Sequence, residues 1–345
     1  MDNTLLKEQK KNLAEKYADK SVLVSGSTGL IGSRIVYFLM SLNDEFSANI
    51  KIVCLYRNEE KKNFVYNELL NRDDIVFVHH SIEKEIGYKE NIDCIFHCAG
   101  ISGGTKMHLK DPMAVFETAY KGTKGLLDFA VKNSCQSFLF VSTYEIYGTI
   151  DSEELIKENN PCTLDTMQLR NIYSECKRMC ESMCCAYSNK YGIKITVGRL
   201  TSTFGNGVNY DDPRFFAEFA RCIIEYKDIV LKSTGGTVRS YLDSDDAATA
   251  FLYIASMGEN MEVYNVTNVE NQLSIKDIAL RMIEVCDSNI QLRFELSDDI
   301  SKLGFRKESC TLMDASKLYA LGWKPVYSID DTLKKLVNSM RETRI

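Results

Sequence analysis

SVLVSGSTGLIGSRIVYFLM, residues 21–40, is the stretch that decides the fold. It begins with a short strand-forming run and continues through three glycines that stand at every third position. The apolar side chains after them recur every three or four residues. This succession predicts a β-strand, a tight loop and an amphipathic helix, which together begin a sheet of parallel strands covered by helices.

Similar strand-like runs alternate with helix-length segments as far as about residue 200. The runs are rich in β-branched or aromatic residues and are bounded by turn-forming residues. They are Ser21–Ser25, Ile50–Tyr56, Ile75–His79, Cys94–Cys98, Ser137–Ser142 and Ile193–Gly198. The alternation predicts an α/β fold with a doubly wound sheet of six parallel strands.

The rhythm weakens beyond Gly205, where a loop-like segment is followed by mixed helical and strand-like runs. A chain of 345 residues also exceeds the usual size of one hydrophobic core. We therefore predict a first domain of residues 1–205, to which residues 236–262 return. Residues 206–235 and 263–345 are predicted to form a smaller, mixed α/β substrate-binding lobe.

Composition and charge exclude several classes of protein. The formal charge of -6 is spread along the chain, and no basic stripe with interleaved aromatic residues occurs, so we expect no nucleic-acid partner. No apolar run is long enough to cross a bilayer, and the first residues lack the apolar core of a secretory signal. We expect a cytoplasmic protein that binds small molecules.

The twelve cysteines lie mostly within apolar segments, which favours reduced, buried thiols over disulfides. Cys176, Cys180 and Cys184 recur every four residues and would share one face of a helix. Neither a CxxC pair nor a pair of closely spaced histidines accompanies them. We therefore expect these cysteines to serve in packing, and we predict no metal site.

The glycine loop has the sequence position of a pyrophosphate-binding loop, between a strand and the N-terminus of a helix. Gly26 permits the tight turn, Gly29 lets the backbone approach the phosphates, and Gly32 allows the helix to pack closely on the strand. A tight turn without a ligand is the alternative. The loop residues expected to contact a dinucleotide are Gly26, Thr28, Gly29, Leu30, Ile31 and Gly32.

The end of the second strand usually distinguishes NAD from NADP, because an acidic residue there binds the ribose hydroxyls whereas an arginine accommodates the 2′-phosphate. The chain has Arg57 at this place and no carboxylate. Arg57 favours NADP(H). The alternative, a solvated loop arginine beside NAD(H), stays open.

Tyr173 and Lys177 lie four residues apart, on one face of a predicted helix. The ammonium can lower the pKa of the phenol, which makes the tyrosine a usable base. Thr143 directly follows the run Ser137–Ser142, so its hydroxyl is expected at the carboxyl edge of the sheet, where such folds bind ligands. A surface Tyr/Lys pair without a catalytic role is the alternative.

With these motifs in order, the chain resembles the extended short-chain dehydrogenases/reductases of the nucleotide-sugar epimerase/dehydratase family over nearly its whole length. The segments that carry the resemblance are GSTGLIG at Gly26, DCIFHCAG at Asp93, DPMAVFETAYKGTKGLL at Asp111, FLFVSTYEIYG at Phe138, YSECK at Tyr173, GRLTSTFG at Gly198, RSYLDSDDAA at Arg239, VYNVTN at Val263 and LGWKP at Leu321. The resemblance implies a Rossmann domain that binds NAD or NADP, a nucleotide-diphosphate sugar as substrate, and a homodimer.

The resemblance also implies roles for single residues. Thr143, Tyr173 and Lys177 would form the set that oxidises a sugar hydroxyl, expected at C4, and the last two would also contact the cofactor. Ala99 and Gly100 would border the cofactor. The side chain of Arg239 would bind the substrate's diphosphate.

Glu145 follows Thr143 by two positions, as a glutamate does in dehydratases and decarboxylases of the family, and could take the C5 proton. Tyr144 stands where many sugar 4,6-dehydratases have an aspartate. Ala119 and Ser202 stand where the family has asparagines. Tyr144 and Ser202 are expected to contact the substrate.

These features predict an NAD(P)-dependent enzyme that oxidises a nucleotide sugar and then acts at C5, as a 4,6-dehydratase or a decarboxylase. A nucleotide-sugar 4-epimerase and a net keto-sugar reductase or dehydrogenase are alternatives. A binding protein that senses the cofactor without catalysis is a third, because a fold does not determine a function.

Overall fold

The computed structural model describes residues 3–82, 84–100, 109–148, 154–296 and 308–343. The described strands are β1 (Ser21–Ser25), β2 (Lys51–Tyr56), β3 (Ile75–His79), β4 (Cys94–His97), β5 (Ser137–Thr143), β6 (Lys194–Leu200), β7 (Ser202–Phe204), β8 (Ile229–Leu231), β9 (Val238–Asp243), β10 (Val263–Val266), β11 (Gln272–Ser274), β12 (Leu292–Phe294) and β13 (Cys310–Thr311). The described helices are α1 (Asn3–Tyr17), α2 (Leu30–Phe46), α3 (Glu59–Tyr66), α4 (Pro112–Lys132), α5 (Ile172–Tyr191), α6 (Phe215–Glu225), α7 (Ser244–Met257), α8 (Ile275–Val285), α9 (Ser316–Tyr319) and α10 (Ile329–Glu342).

Seven strands form a parallel sheet in the order β3-β2-β1-β4-β5-β6-β10. The chain runs outward from β1 to β3 on one side and from β4 onward on the other. The predicted doubly wound α/β fold is therefore confirmed, and all six predicted strands are present. In such a sheet, ligands bind at the carboxyl ends of the strands where the direction of winding reverses, which here is between β1 and β4.

Helices cover both faces of this sheet, and the alternation along β1 shows why. Val22 and Val24 point into a core that also contains buried residues of α1, α2 and α7. Leu23 points to the opposite face, into a core with α4 and α5. Because both faces are buried, the central strands are apolar throughout rather than alternating with polar residues.

A smaller lobe has its own apolar core, built where α6, α8 and α10 pack against one another. A small sheet with β9 at its centre adjoins it: β9 pairs with β7 and β13 in parallel and with β11 in the antiparallel sense. β8 and β12 form a further parallel pair.

Two strands lie elsewhere than the sequence indicated. β10 falls in the segment assigned to the lobe, yet it pairs with β6, and its residues Tyr264 and Val266 are buried in the core of the main sheet. β9 falls in the segment predicted to return to the first domain, yet it lies in the small sheet. Both strands are short, and the alternation of their side chains does not indicate which of the two sheets each strand joins.

The C-terminal part of the chain also contributes to both the main domain and the smaller lobe. Trp323 is buried in the core of the main domain, and its indole N–H donates a hydrogen bond of 2.9 Å to the Thr249 hydroxyl. α10 then packs into the core of the lobe. None of the helices that the structure describes has the length and apolar character needed to cross a membrane.

Candidate active site

The glycine loop connects β1 to α2 at the carboxyl edge of the main sheet. Gly26 has a φ of +64°, and a Cβ atom there would lie 2.7 Å from the backbone of Ala99. A Cβ atom on Gly32 would lie 2.3 Å from the carbonyl oxygen of Gly26. Any side chain at either position would collide with backbone, so the close turn depends on glycine.

The helix that follows the loop begins without a side-chain cap: Gly29 is its N-cap, and its first turn has no acidic residue. Its unpaired amide groups and its dipole favour an anion at this place. Five other described helices begin instead with capping side chains, which are Asn58, Asp111, Asp243, Ser274 and Ser328. The start of α2 therefore has the properties of a phosphate-binding site.

Ala99 and Gly100 follow β4 and lie between the glycine loop and α5. The backbone of Ala99 faces Gly26, and a Cβ atom on Gly100 would lie 3.5 Å from the Nζ atom of Lys177. Ala99, Gly100, Tyr173 and Lys177 also line a common cavity of about 20 Å³. The structure thus brings these predicted cofactor residues together along one edge of the sheet.

Tyr173 and Lys177 lie in the first two turns of α5. The Lys177 ammonium donates a hydrogen bond of 2.7 Å to the carbonyl oxygen of Val141, at the end of β5. Its Nζ atom lies 5.9 Å from the centre of the Tyr173 ring. The Thr143 hydroxyl lies near enough to the Tyr173 phenol to lower its pKa. Thr143, Tyr173 and Lys177 are therefore close together, as the sequence predicts.

Burial dominates the electrostatics of this group. It raises the pKa of Tyr173, and the Glu145 carboxylate raises that pKa further, whereas Arg214 and Thr143 lower it. Burial also lowers the pKa of Lys177. The phenol is consequently protonated in this structure, and a cation bound beside it would favour its ionisation.

The residues predicted to contact the substrate lie near Thr143. The Ser202 hydroxyl donates to the Tyr144 hydroxyl at 3.5 Å. Arg239 lies next to this pair: its pKa is raised, first by Tyr144 and, against the opposing effect of burial, by Tyr241 and Glu145. Glu145 itself donates its backbone N–H to the Thr143 hydroxyl at 3.3 Å.

Arg239 is a cation that no described carboxylate contacts, although Glu145 lies near enough to raise its pKa. It is only partly exposed, yet within the described ranges it forms neither an ion pair nor a hydrogen bond. Burying a charge without a partner is costly, so such groups usually serve a ligand. The environment of Arg239 thus suits an anionic substrate group.

Arg57 is exposed at the end of β2, and a second cation that the sequence analysis missed lies beside it. Lys61, in the first turn of α3, is partly buried, and burial followed by the charge of Arg57 lowers its pKa. Helical spacing alone did not single out Lys61, because α3 carries several lysines and most helical lysines are solvated.

Arg214 was missed as well. Its guanidinium forms an ion pair of 2.6 Å with Asp212, lies 4.6 Å from the centre of the Phe216 ring, and lowers the pKa of Tyr173. The sequence around Arg214 is loop-like and gives no indication that this residue lies near the site. Arg214 is brought there by the packing of the lobe.

The cysteines of α5 are free, and Cys176, Cys180 and Cys184 are buried. Among the residues that the structure describes, no group of three histidine, cysteine or acidic side chains has the geometry to hold a metal ion.

The family model described as "NAD dependent epimerase/dehydratase family" matches residues 22–269. The chain is 26% identical to dTDP-D-glucose 4,6-dehydratase of Mus musculus, over 94% of this chain and 89% of that protein. It is 24% identical to UDP-glucuronic acid decarboxylase 4 of Arabidopsis thaliana, over 93% of this chain and 68% of that protein.

A solved structure extends the comparison to the fold. UDP-glucuronic acid 4-epimerase of Bacillus cereus, in complex with UDP-glucuronic acid and NAD, is similar with a TM-score of 0.78 at 20% identity. The match covers 93% of this chain and 99% of that one. It shows that the two chains share the Rossmann-type fold.

Proposed function

The chain belongs to the NAD dependent epimerase/dehydratase family of enzymes, and we propose that it oxidises a nucleotide-diphosphate sugar at C4 and then acts at C5. The observation that carries this proposal is the convergence of Thr143, Tyr173 and Lys177 beside Ala99 and Gly100. Five residues, from the ends of two strands, β4 and β5, and from one helix, meet at the edge where a Rossmann-type sheet binds its ligands.

The residues present fit a nicotinamide dinucleotide. The glycine loop excludes side chains from the space before α2, and the uncapped N-terminus of α2 suits a pyrophosphate. Lys177 uses one of its three N–H groups on Val141, which leaves two for ribose hydroxyls. The bound cofactor would supply the hydride acceptor and donor.

The chain's own residues would handle the proton of the sugar hydroxyl. Tyr173, as phenolate, accepts the proton from the C4 hydroxyl, and Thr143 orients that hydroxyl by hydrogen bonding. Lys177 stabilises the phenolate by its positive charge. Loss of this proton, together with transfer of the C4 hydrogen as hydride to the bound cofactor, would give a 4-keto sugar.

Glu145 would act on the neighbouring carbon, because its carboxylate lies near enough to Tyr173 to influence the phenol. In a dehydration, Glu145 removes the C5 proton while the C6 hydroxyl leaves as water, with Tyr144 as the proton donor; the hydride would then return from the cofactor to C6, and a proton would return to C5. In a decarboxylation, the bond from C5 to the carboxylate breaks, carbon dioxide leaves, and a proton is returned to C5; the hydride would then return from the cofactor to C4. The Arg239 guanidinium would bind the diphosphate in either reaction.

For the cofactor, the proposal is NADP(H) rather than NAD(H). Arg57 and Lys61 lie close together where the adenosine ribose is expected, and no acidic residue ends β2. Two cations suit a 2′-phosphate, whereas a carboxylate would suit free ribose hydroxyls. Cofactor titration should then give a lower Kd for NADP(H) than for NAD(H), and Lys61→Met should remove most of the difference.

The proposed assembly is a homodimer in the cytoplasm. Met113, Phe116 and Tyr120 are exposed large side chains on one face of α4, and such a face is typical of an interface. All twelve cysteines are unpaired, which is usual in a reducing compartment. Light scattering of the purified protein measures the oligomeric state.

The experiment that tests the proposed function combines the enzyme with UDP-, dTDP-, GDP- and CDP-linked sugars and analyses the products by mass. Loss of water or of carbon dioxide is expected. In a dehydration, Glu145→Gln should still oxidise C4 but should lose the C5 step by about 100-fold or more, as for loss of a general base. Glu175→Gln, on the same helix as Tyr173, is the matched control and should keep full activity.

Other results would contradict the proposal in distinct ways. An unchanged mass with altered stereochemistry at C4 would indicate a 4-epimerase, and stoichiometric consumption of free cofactor would indicate a net reductase or dehydrogenase. No turnover, with biological activity unchanged in Tyr173→Phe, would indicate a binding protein.

A further inference from the structure

A chain of hydrogen bonds crosses the core behind the proposed cofactor site. The backbone N–H of Ala99 donates to the Ser25 hydroxyl at 3.3 Å, and that hydroxyl lies 2.8 Å from Nδ1 of His97. Nε2 of His97 lies 3.0 Å from the Thr123 hydroxyl. Thr123 donates to the Cys180 sulfur at 3.2 Å, and the Cys180 thiol donates to the carbonyl oxygen of Ala119 at 3.4 Å.

These contacts favour one arrangement of protons on His97. With the Thr123 hydrogen donated to Cys180 and the Cys180 hydrogen donated to Ala119, the Thr123 oxygen accepts from Nε2–H of His97. Nδ1 of the neutral ring is then bare and accepts from the Ser25 hydroxyl. Every donor in the chain therefore points the same way, from Ala99 towards Ala119.

The surroundings keep this imidazole neutral. His97 is 2% exposed and lies between Phe138 and Phe140, with ring centres 6.0 and 5.5 Å away. Burial, and to a lesser extent the nearby Lys177 ammonium, lowers the pKa of His97 to about 3. The ring consequently carries no charge at neutral pH.

The hydrogen-bond chain joins four parts of the proposed site. Ser25 ends β1 beside the glycine loop, His97 ends β4, Thr123 lies in α4, and Cys180 lies in α5, three residues after Lys177. The Ser25 and Thr123 hydroxyls both hydrogen-bond to the imidazole, which links them.

We propose that His97, as the Nε2–H tautomer, is a positioning residue that holds the cofactor-facing amide of Ala99 in register with the catalytic helix α5. The proposal rests on the proposed function in taking Ala99 as a cofactor contact. Loss of either hydrogen bond to the ring shifts the loop relative to Tyr173 and Lys177, and small misplacements of reacting groups are costly.

The test is a double-mutant cycle with Ser25→Ala and Thr123→Val, measured as kcat/KM and as cofactor Kd. Each single variant should lose about tenfold in kcat/KM. Thr123→Val should also weaken cofactor binding, although Thr123 lies on α4. If the two losses were independent, the double variant would lose their product in kcat/KM. We expect its loss to be about tenfold smaller than that product. In a His97→Phe background the two losses should multiply. Thr196→Val, a buried strand residue outside this chain, is the matched control.

A second measurement does not depend on activity. ¹⁵N NMR of the imidazoles should show His97 with a protonated Nε2 and a bare Nδ1 that persist from about pH 8 to pH 5, where an ordinary histidine titrates. The Nε2 signal should shift in Thr123→Val. If His97→Phe does not fold, the wild-type cycle and this spectrum decide the proposal together.

The outcomes separate the two proposals. An Nδ1–H or protonated ring, or losses that multiply in the wild-type background, would overturn the role of His97 even in an active enzyme. Failure to bind either cofactor would instead overturn the proposed function. In that case the ¹⁵N NMR spectrum alone still tests the tautomer of His97. An Nδ1–H or protonated ring would contradict the inference.

Discussion

Arg239 shows what one residue contributes when no described residue forms an ion pair or a hydrogen bond with it. Arginines that are buried from water normally pair with carboxylates, as Arg199 does with Glu181 at 2.8 Å. Arg239 has no such partner among the described residues, although Tyr144 and Glu145 lie near enough to raise its pKa. The desolvated charge therefore destabilises the ligand-free protein, and binding of an anionic ligand would offset this destabilisation.

Replacing Arg239 by methionine should accordingly raise the KM for the nucleotide sugar by about 10- to 100-fold, the value of a charge-assisted hydrogen bond. The turnover number should change much less. Because no ion pair is lost, the free energy of unfolding of the ligand-free protein should stay level or rise. Steady-state kinetics and denaturant unfolding measure both effects.

Arg178→Met is the control, because Arg178 pairs with Glu175 at 3.3 Å outside the proposed site. It should leave the KM unchanged. A large loss of stability in Arg239→Met without an effect on KM would mean that Arg239 serves the fold rather than a ligand.

Among elements, the glycine loop and α2 depend most directly on local sequence. Gly26 must adopt a positive φ and must lie against the backbone of Ala99 at the same time. The first requirement follows from the motif, whereas the second arises only when β4 is placed next to β1. The loop is therefore both a turn and a packing contact.

Gly26→Ala should destabilise the protein by about 2 kcal/mol or more, since the left-handed conformation alone costs about 1–2 kcal/mol for a residue with a Cβ atom. Cofactor affinity should fall with it. Gly125→Ala is a matched control, because Gly125 lies in the helix α4 with nothing within 4 Å of its Cβ position. That variant should gain about 0.5–1 kcal/mol.

Denaturant unfolding and cofactor titration of the two alanine variants test this contrast. Equal stabilities for Gly26→Ala and Gly125→Ala would show that the loop tolerates a side chain. The close approach to Ala99 would then not be needed for the fold.

At the scale of the whole molecule, a cluster of buried charges joins the main domain to the smaller lobe. Arg34 of α2 pairs with Asp245 at 2.5 Å, and Lys335 of α10 pairs with Asp245 at 2.5 Å and with Asp243 at 2.7 Å. Burial raises the pKa of Asp243 to about 6, even though Lys335 opposes the shift. Burial alone would lower the pKa of Lys335, but the two carboxylates raise it.

Lys335→Met should therefore cost about 3 kcal/mol at pH 8, where it leaves the Asp243 carboxylate buried without its partner. The pKa of Asp243 is raised in the folded state, so the stability linked to its protonation is present at low pH and is lost as the pH rises through about 6. The loss should thus be smaller at pH 5 than at pH 8.

Unfolding of Lys335→Met and of the control Lys334→Met, measured at both pH values, tests this. Lys334 is the exposed neighbour on α10, and its replacement should change little. A loss that does not depend on pH would indicate that Lys335 contributes by packing alone.

The sequence by itself determined the parallel sheet, its first six strands, the glycine loop and the Tyr173/Lys177 pair, because each depends on residues that are close along the chain. The family and the Rossmann-type fold predicted from these motifs are confirmed, whereas the roles of single residues, the cofactor preference, the homodimer and the C5 reaction stay predictions.

Only the tertiary structure decided which edge accepts β10 and which sheet holds β9, because a short strand has no pattern that names its neighbour. It also brought Lys61 beside Arg57 and left Arg239 without an ion pair or hydrogen bond among the described residues. It aligned six groups, from Ala99 to Ala119, through His97. Such arrangements join residues far apart in the chain, and their energies arise from burial and proximity, which local sequence does not contain.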